Sequence, residues 1–535
     1  MPDPREFLAS LERKHRAQDD NSAKGRAIRS YREHYKLGRL TRARPDNPPG
    51  RSGNAAIWES ADLMHRRVRA AYDNNPIFRR CTHVLRDLIV GSGIQAFSDP
   101  IDYSFGWKLD KRPENVLIRS LDYALETDES FDLWACDKNQ VDIGGRWDWF
   151  WMQRMVIQEL ILVGSVIVKK CARRDQDIPF CLQLIEREQI NYQYDRPRAG
   201  DQNAIINGIE VDRDGREVAV HLWREHPHDG FAAFSQAGFE SFRLPKSQYE
   251  HIFMGVRPTQ TIGATWLNTI GTPTQDRDSF TEAELRAAIK AARLLLVAHI
   301  DNPGAGALGF EDFGGDGDPL GRPELALGND IVAAEVGKDE KVELIESQRP
   351  TDKANNFFDI LDHDIAAGTD ASYYSVTGRF EKTNQSGFRG AMNFESAQMR
   401  PIQEWFGRSF VLPVRRRWNE LAVGLGRLRN VTASQFNRER NRYQRFEVYG
   451  PGRSVLDPDK ETEGSLTELR GGLSTLKREC ARRQLHWIKV LRQVALENRI
   501  ADVLGVALDH SKGQGGQRDK NTRTSEREER ENANE

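Results

Sequence analysis

His363 beside Asp364, in "LDHDIAAG", is a pairing that a metal-dependent phosphohydrolase could use. Such a centre needs further His and Asp ligands around its cation, and no spacing in the chain supplies them, so the plain reading is the polar flank of an amphipathic helix. Asp312, Asp316 and Asp318 could gather a cation, but they lack the spacing and the closing Glu of a calcium loop, which leaves a solvated acidic turn. The five cysteines, Cys81, Cys136, Cys171, Cys181 and Cys480, are odd in number and contain no C-x-x-C, against a disulfide framework or zinc knuckle and in keeping with synthesis in a reducing compartment. The phosphate cradle G-x-x-x-x-G-K-[ST] is absent, its nearest string being "GGDGDPLGRP", and neither H-E-x-x-H nor G-x-S-x-G occurs. The expectation is a protein that is not an enzyme and carries no cofactor and no metal.

The elements that would position any site come next. A chain of 535 residues with 38% hydrophobic and 30% charged residues can bury a sizeable core while keeping much solvated or subunit-facing surface. The N-terminal stretch has no basic-then-apolar leader pattern and the longest apolar run is too short to span a bilayer, so a soluble protein without membrane contact is expected. Residues 1–55, ending in "RARPDNPPGRSGN", read as an extended arm, and residues 509–535 as a disordered tail.

Between them, residues 57–90 are helical with a break at "DNNP", and "MQRMVIQELILVGSVIV" passes from helix to strand. "FCLQLIEREQI" and a hairpin around Asp214-Gly215 complete an α+β domain ending near Gly271. Residues 274–300 form a long helix of roughly 40 Å. Residues 301–350 are Gly/Pro-dense and carry a net charge of −8. A second helix, "NNFFDILDHDIAAGTDA", leads into a soft polar stretch, and Pro401 and Pro413 should kink or restart the helix beyond it. Residues 411–450 carry +6, a solvated face or salt bridges between subunits on the plain reading and a phosphate-contacting face on the sharper reading. Two or three short helices close the ordered chain.

This order of pieces resembles the portal proteins of tailed bacteriophages, specifically the lambda-like family. The residues that carry the resemblance include Trp134, Cys136 and Asp137, then "LQLIE" from Leu182, "NGIEVDRDGREVAVHL" from Asn207, and Gly263 to Leu267. They continue with Lys382 to Ser386 and Arg389, "VLPVRRRWNELAVGLG", and the run from Asp457 to Thr475. Two departures are Gly164-Ser165, where the family often has Gly-Glu, and Gln385, where an aromatic is common.

The resemblance implies an α+β portal-type fold assembled as a ring. Its parts are an arm (1–55), a wing (56–273), a first stem helix (274–301), a clip (302–352) and a second stem helix (353–378). A tunnel loop (379–390), a kinked helix returning to the wing (391–456), a helical crown (457–508) and the tail follow. It implies about twelve copies at one capsid vertex, a channel for double-stranded DNA, and docking of the terminase large subunit and later a head-completion or adaptor protein. Major capsid and scaffold proteins are the other implied partners, in the virion and, during assembly, the host cytoplasm. Lys382, Thr383, Asn384, Gln385, Ser386 and Arg389 would face DNA, with Gly378, Gly387 and Gly390 as hinges. Asp312, Asp316, Asp318, Glu335, Asp339 and Glu340 would dock partners on the clip. The alternatives are a metal-dependent nuclease or phosphohydrolase built on His363 and Asp364, and a ring-forming scaffold or adaptor that never meets DNA.

Overall fold

The computed structural model describes residues 50–99, 114–229, 240–293, 324–326, 332–334, 352–381, 383–452 and 457–506. Residues 57–535 make up one compact unit and 1–56 another, of which only the last few residues are described.

Helix α1 (Gly53–Asn74) stops where Asn75 turns extended, and α2 (Pro76–Ile89) starts at once, because the Asn75 side chain accepts from Phe78 N at 2.7 Å and Pro76 fits the first turn. Helix α2 buries Phe78, Cys81, Leu85 and Ile89 and leads to strand β1 (Gln95–Ser98). Helix α3 (Glu114–Cys136) and α4 (Trp149–Val163) follow, the latter capped by Asp148 on Trp151 N at 2.7 Å. Helix α4 buries Trp149, Met152, Val156, Ile157, Leu160 and Ile161, the middle of the larger core.

Gly164 ends α4 with φ +86° and delivers the chain into β2 (Ser165–Cys171). Strands β3 (Cys181–Ile185), β4 (Ala204–Ile206), β5 (Ile209–Val211), β6 (Glu217–Trp223), β7 (Ser241–Pro245) and β8 (Tyr249–Phe253) complete two antiparallel sheets, ordered β3-β2-β8 and β4-β5-β6-β7. A second, smaller core of Ile167, Ile185, Ile190, Val220, Leu222 and Tyr249 lies between them.

Helix α5 (Gly271–Arg293) and α6 (Asp352–Thr369) pack on each other; Phe280 meets Phe357 and Phe358 edge-on, and Arg277 Nε reaches Asp362 Oδ1 at 2.6 Å. Between them β9 (Glu324–Ala326) and β10 (Val332–Ala334) pair antiparallel. Asp370, with φ +55°, ends α6 before the short α7 (Tyr373–Thr377).

Helix α8 (Gln385–Phe406) runs through Pro401 without stopping, widens into a π turn over Gly407–Val411, and continues as α9 (Leu412–Gly424) with Pro413 in its first turn. Pro401 therefore does not interrupt the helix, and in the π turn beyond it Gly407 lets Val448 approach to 2.4 Å of the space a Cβ would fill. Beyond it β11 (Phe446–Tyr449) pairs antiparallel with β1. The last described elements are α10 (Pro458–Arg470), α11 (Leu476–Arg482) and α12 (Trp487–Leu504). No helix among the described residues is long and apolar enough to cross a membrane.

Candidate nucleic-acid interface

The polar stretch between α7 and α8 is shorter than its composition suggests. Ser372 caps α7 and Gly378, with φ +71°, ends it, a conformation a residue with Cβ resists. Asn384 then opens α8: its Oδ1 accepts from Gly387 N at 2.7 Å and from Ser386 Oγ at 3.0 Å. The turn thus covers 378–384, and Gln385, Ser386, Gly387, Arg389 and Gly390 lie in the first turns of a helix, not in the loop expected over 379–390.

Gly387 and Gly390 accordingly do not act as bends in this fold. A Cβ on Gly387 would come within 3.0 Å of Asn384 Oδ1, so this glycine makes room for the cap; Gly390 has open space around it. Of the three expected hinges only Gly378 adopts a left-handed backbone.

An aromatic knot holds the turn. Phe380 meets Phe388 edge-on at 5.3 Å and stacks on Tyr374 at 6.3 Å, tying the two ends of the turn together. Arg379 Nη1 sits 3.3 Å from Asp359 Oδ1 and 3.9 Å from Asp362 Oδ2, which spends its charge on α6. Buried Glu395 of α8 accepts from Ser372 N at 2.8 Å and Ser375 Oγ at 3.1 Å, anchoring the start of α7.

Thr383 is half-buried, while Asn384, Gln385 and Ser386 are exposed around the mouth of α8. Arg389 is half-buried, and its Nε and Nη2 are shielded from solvent with no hydrogen-bond partner among the described residues. Its charge still reaches Asp457 at the start of α10, whose carboxyl is held below the usual range first by Lys460 and to a smaller degree by Arg389. Arg389 thus faces partly inward, toward α10, and not freely outward as expected. Lys382 and the six acidic residues Asp312, Asp316, Asp318, Glu335, Asp339 and Glu340 lie outside the described residues.

Several arginines of 411–450 are ion-paired within the chain: Arg417 and Arg440 meet Glu420, Arg427 meets Asp177, Arg442 meets Glu439, and Arg445 lies 3.9 Å from Asp99. Arg415 is not on a face at all: it is fully buried against Asp128 at 2.7 Å.

Among the described residues, no further His, Asp or Glu gathers with His363 and Asp364 in a metal-like cluster. His363 is exposed, donates from Nδ1 to Asp359 O at 2.6 Å and stacks on Tyr373, and Asp364 is exposed one residue on. The one cluster of metal-like geometry among the described residues is elsewhere, at Glu186, Glu188 and His226. There Arg69 already lies 3.1 Å from Glu188 and 3.9 Å from Glu186, His226 Nδ1 accepts from His228 N, and His226 Nε2 lies 3.3 Å from Glu186 Oε2. That is the chemistry of an ion-pair cluster.

Sequence reasoning missed the aromatic knot, Glu395 and the inward turn of Arg415. The spacing of Tyr374, Phe380 and Phe388 was a readable signal for the first; nothing local signals the other two.

Compared with known proteins, residues 39–403 match the family described as phage portal protein, lambda family. A curated relative, the probable portal protein of Halomonas phage phiHAP-1 from the Gulf of Mexico, is 24% identical over 265 residues, 49% of this chain. The match spans about half the length of that relative, 48%. Among solved structures, the neck of a native gene transfer agent particle computed with C12 symmetry aligns over 78% of this chain and 89% of that chain, at 12% identity and a TM-score of 0.34. The neck of an empty particle computed with C6 symmetry aligns over 80% and 93%, at 13% identity and a TM-score of 0.33.

Proposed function

The chain belongs to the lambda family of phage portal proteins, and from that premise we propose that about twelve identical copies close into a ring around a channel for double-stranded DNA. The observation that carries this reading is the extent of the family match, which takes in α5, α6 and the Gly378–Asn384 turn together. Apolar side chains left exposed on a single copy support it: Leu285, Phe357 and Ile360 on the stems, and Leu496, Ile500 and Val503 on α12. Such surface is what a neighbouring copy buries.

The mechanism is mechanical. The turn before α8 stands at the channel wall, where Thr383, Asn384, Gln385 and Ser386 offer hydroxyl and amide groups that can exchange partners as phosphates pass. Lys382 adds a cation, Arg389 a partly shielded one, and Arg379 is neutralised by Asp359 and Asp362. A wall with few free charges gives shallow, salt-screened attraction, so DNA is held without being trapped.

The acidic segment 302–352 serves as the clip, with Asp312, Asp316, Asp318, Glu335, Asp339 and Glu340 docking first the terminase large subunit and later a head-completion or adaptor protein. The wing meets the major capsid and scaffold proteins. The protein assembles in the host cytoplasm and remains at the portal vertex of the virion. Electron microscopy of the purified protein tests the assembly: top views should show rings with an open centre, and single copies under every assembly condition would overturn it. Cross-linking of packaged DNA to the 378–389 segment separates this reading from a ring that never meets DNA.

A further inference from the structure

Strands β2 and β3 run antiparallel with Cys171 directly opposite Cys181. Opposed residues of an antiparallel pair point to the same face, with Cα atoms about 4.5–5.5 Å apart, within the about 4.4–6.8 Å that a disulfide bridges. Both are free thiols, Cys171 half-buried and Cys181 buried. The other three cysteines sit on separate helices, Cys81 on α2, Cys136 at the end of α3 and Cys480 on α11.

We propose that Cys171 and Cys181 are an oxidisable pair that forms an intramolecular disulfide when the folded protein meets a low-molecular-weight disulfide such as oxidised glutathione. The more accessible Cys171 thiolate attacks one sulfur of the oxidant, forming a mixed disulfide and releasing one glutathione thiolate. The Cys181 thiolate then attacks Cys171 Sγ and expels the second glutathione. Two protein thiols lose two electrons and two protons in all, and one oxidised glutathione becomes two reduced ones.

The bond would close the connection 172–180 at its base. That connection is already braced by Arg173 with Asp175 at 2.5 Å and by Gln176 Nε2 donating to Asn139 O at 2.7 Å, so the cysteines are presented by a fixed frame. Burial pushes the Cys181 thiol up to about 11 and raises Cys171 as well. Little thiolate is therefore present near neutrality, and the pair folds reduced and oxidises slowly, faster as pH rises. The inference stands on the strand register and is independent of the DNA-channel reading.

The test uses the full chain, reduced and then incubated with oxidised glutathione at pH 7 and pH 8.5, alkylated under denaturing conditions and weighed. The expected result is a loss of two alkylatable thiols without added glutathione mass at this pair, a linked Cys171–Cys181 peptide after digestion, and a several-fold faster loss at the higher pH. In C171S, Cys181 should remain alkylatable, and in C136S the linked peptide should still form. Retention of both thiols at pH 8.5, arrest at a Cys171–glutathione adduct, or linkage of either residue to another cysteine would each overturn the proposal.

Discussion

Arg415 Nη2 lies 2.7 Å from Asp128 Oδ1 where neither side chain meets solvent. The guanidinium also packs over Phe131 at 4.2 Å, Phe446 at 4.9 Å and Trp418 at 5.1 Å, while Asp128 accepts from Ser98 N at 3.0 Å. One ion pair thereby joins α9, α3 and β1. D128A leaves a buried cation unpaired and should lower unfolding free energy by about 3–5 kcal/mol. D128A/R415M should recover much of that loss. Urea denaturation of both variants measures this, and a D128A loss under about 0.5 kcal/mol would contradict it.

His486 stacks on Phe97 at 4.7 Å, between the last helices and the β1–β11 ladder. Burial, then the nearby Lys489, holds its ring down to about 4. A base whose folded value is depressed contributes fully above its unfolded value near 6.5 and loses that contribution as pH falls toward 4, on the order of 3 kcal/mol. Hydrogen exchange in α11 and α12 should therefore accelerate between pH 6.5 and 4, and H486F should flatten that dependence.

Glu217 marks a second, more acidic step. Burial opposes its ionisation, but His251, Lys246 and Tyr249, at 3.1, 3.0 and 2.8 Å, outweigh it and hold the carboxyl at about 2. Its contribution is present above the unfolded value near 4.5 and is lost as pH falls from there to 2. E217Q should destabilise the four-stranded sheet at pH 7 and bring its melting temperature at pH 7 close to its value at pH 3.

Gly263 admits no side chain. A Cβ there would stand 2.0 Å from Gly164 O, and Gly263 N donates to Ser165 Oγ at 2.9 Å. G263A should yield little soluble protein. S165A, which removes the acceptor but no space, should cost about 1–3 kcal/mol and still fold; equal yields from G263A and wild type would refute the close approach.

K382A/R389A should assemble like the wild type and package or retain DNA less well, with the deficit shrinking as salt rises, because salt screens the contacts the wild type still has. Particle counts and encapsidated DNA measure the two separately. R389A alone should show the smaller effect, since its guanidinium is partly turned toward Asp457.

Strong local signals were legible in the sequence. The helical periodicity of 274–300 matches α5 as far as it is described, and Asp214-Gly215 does close the β5–β6 hairpin, with Gly215 at φ +81°. The flexible stretch was read as running to 390 because Gly387 and Gly390 look soft, whereas Asn384 accepts from Gly387 N and starts the helix at Gln385. Pairing of β1 with β11 joins segments some 350 residues apart and leaves no local pattern. Arg415 was hidden for a related reason: beside Arg416 and Arg417 it reads as surface, and only its place on α9 turns it inward.

From Gln385 through the π turn to Gly424 the chain stays helical, about 60 Å at helical rise. One end carries the capped turn and the other is clamped at Arg415, so a tug on Asn384 cannot be absorbed by a slack joint between them. The wider turn is where the regular hydrogen-bond ladder of this long helix loosens, and it does so beside Val448 and the β1–β11 ladder.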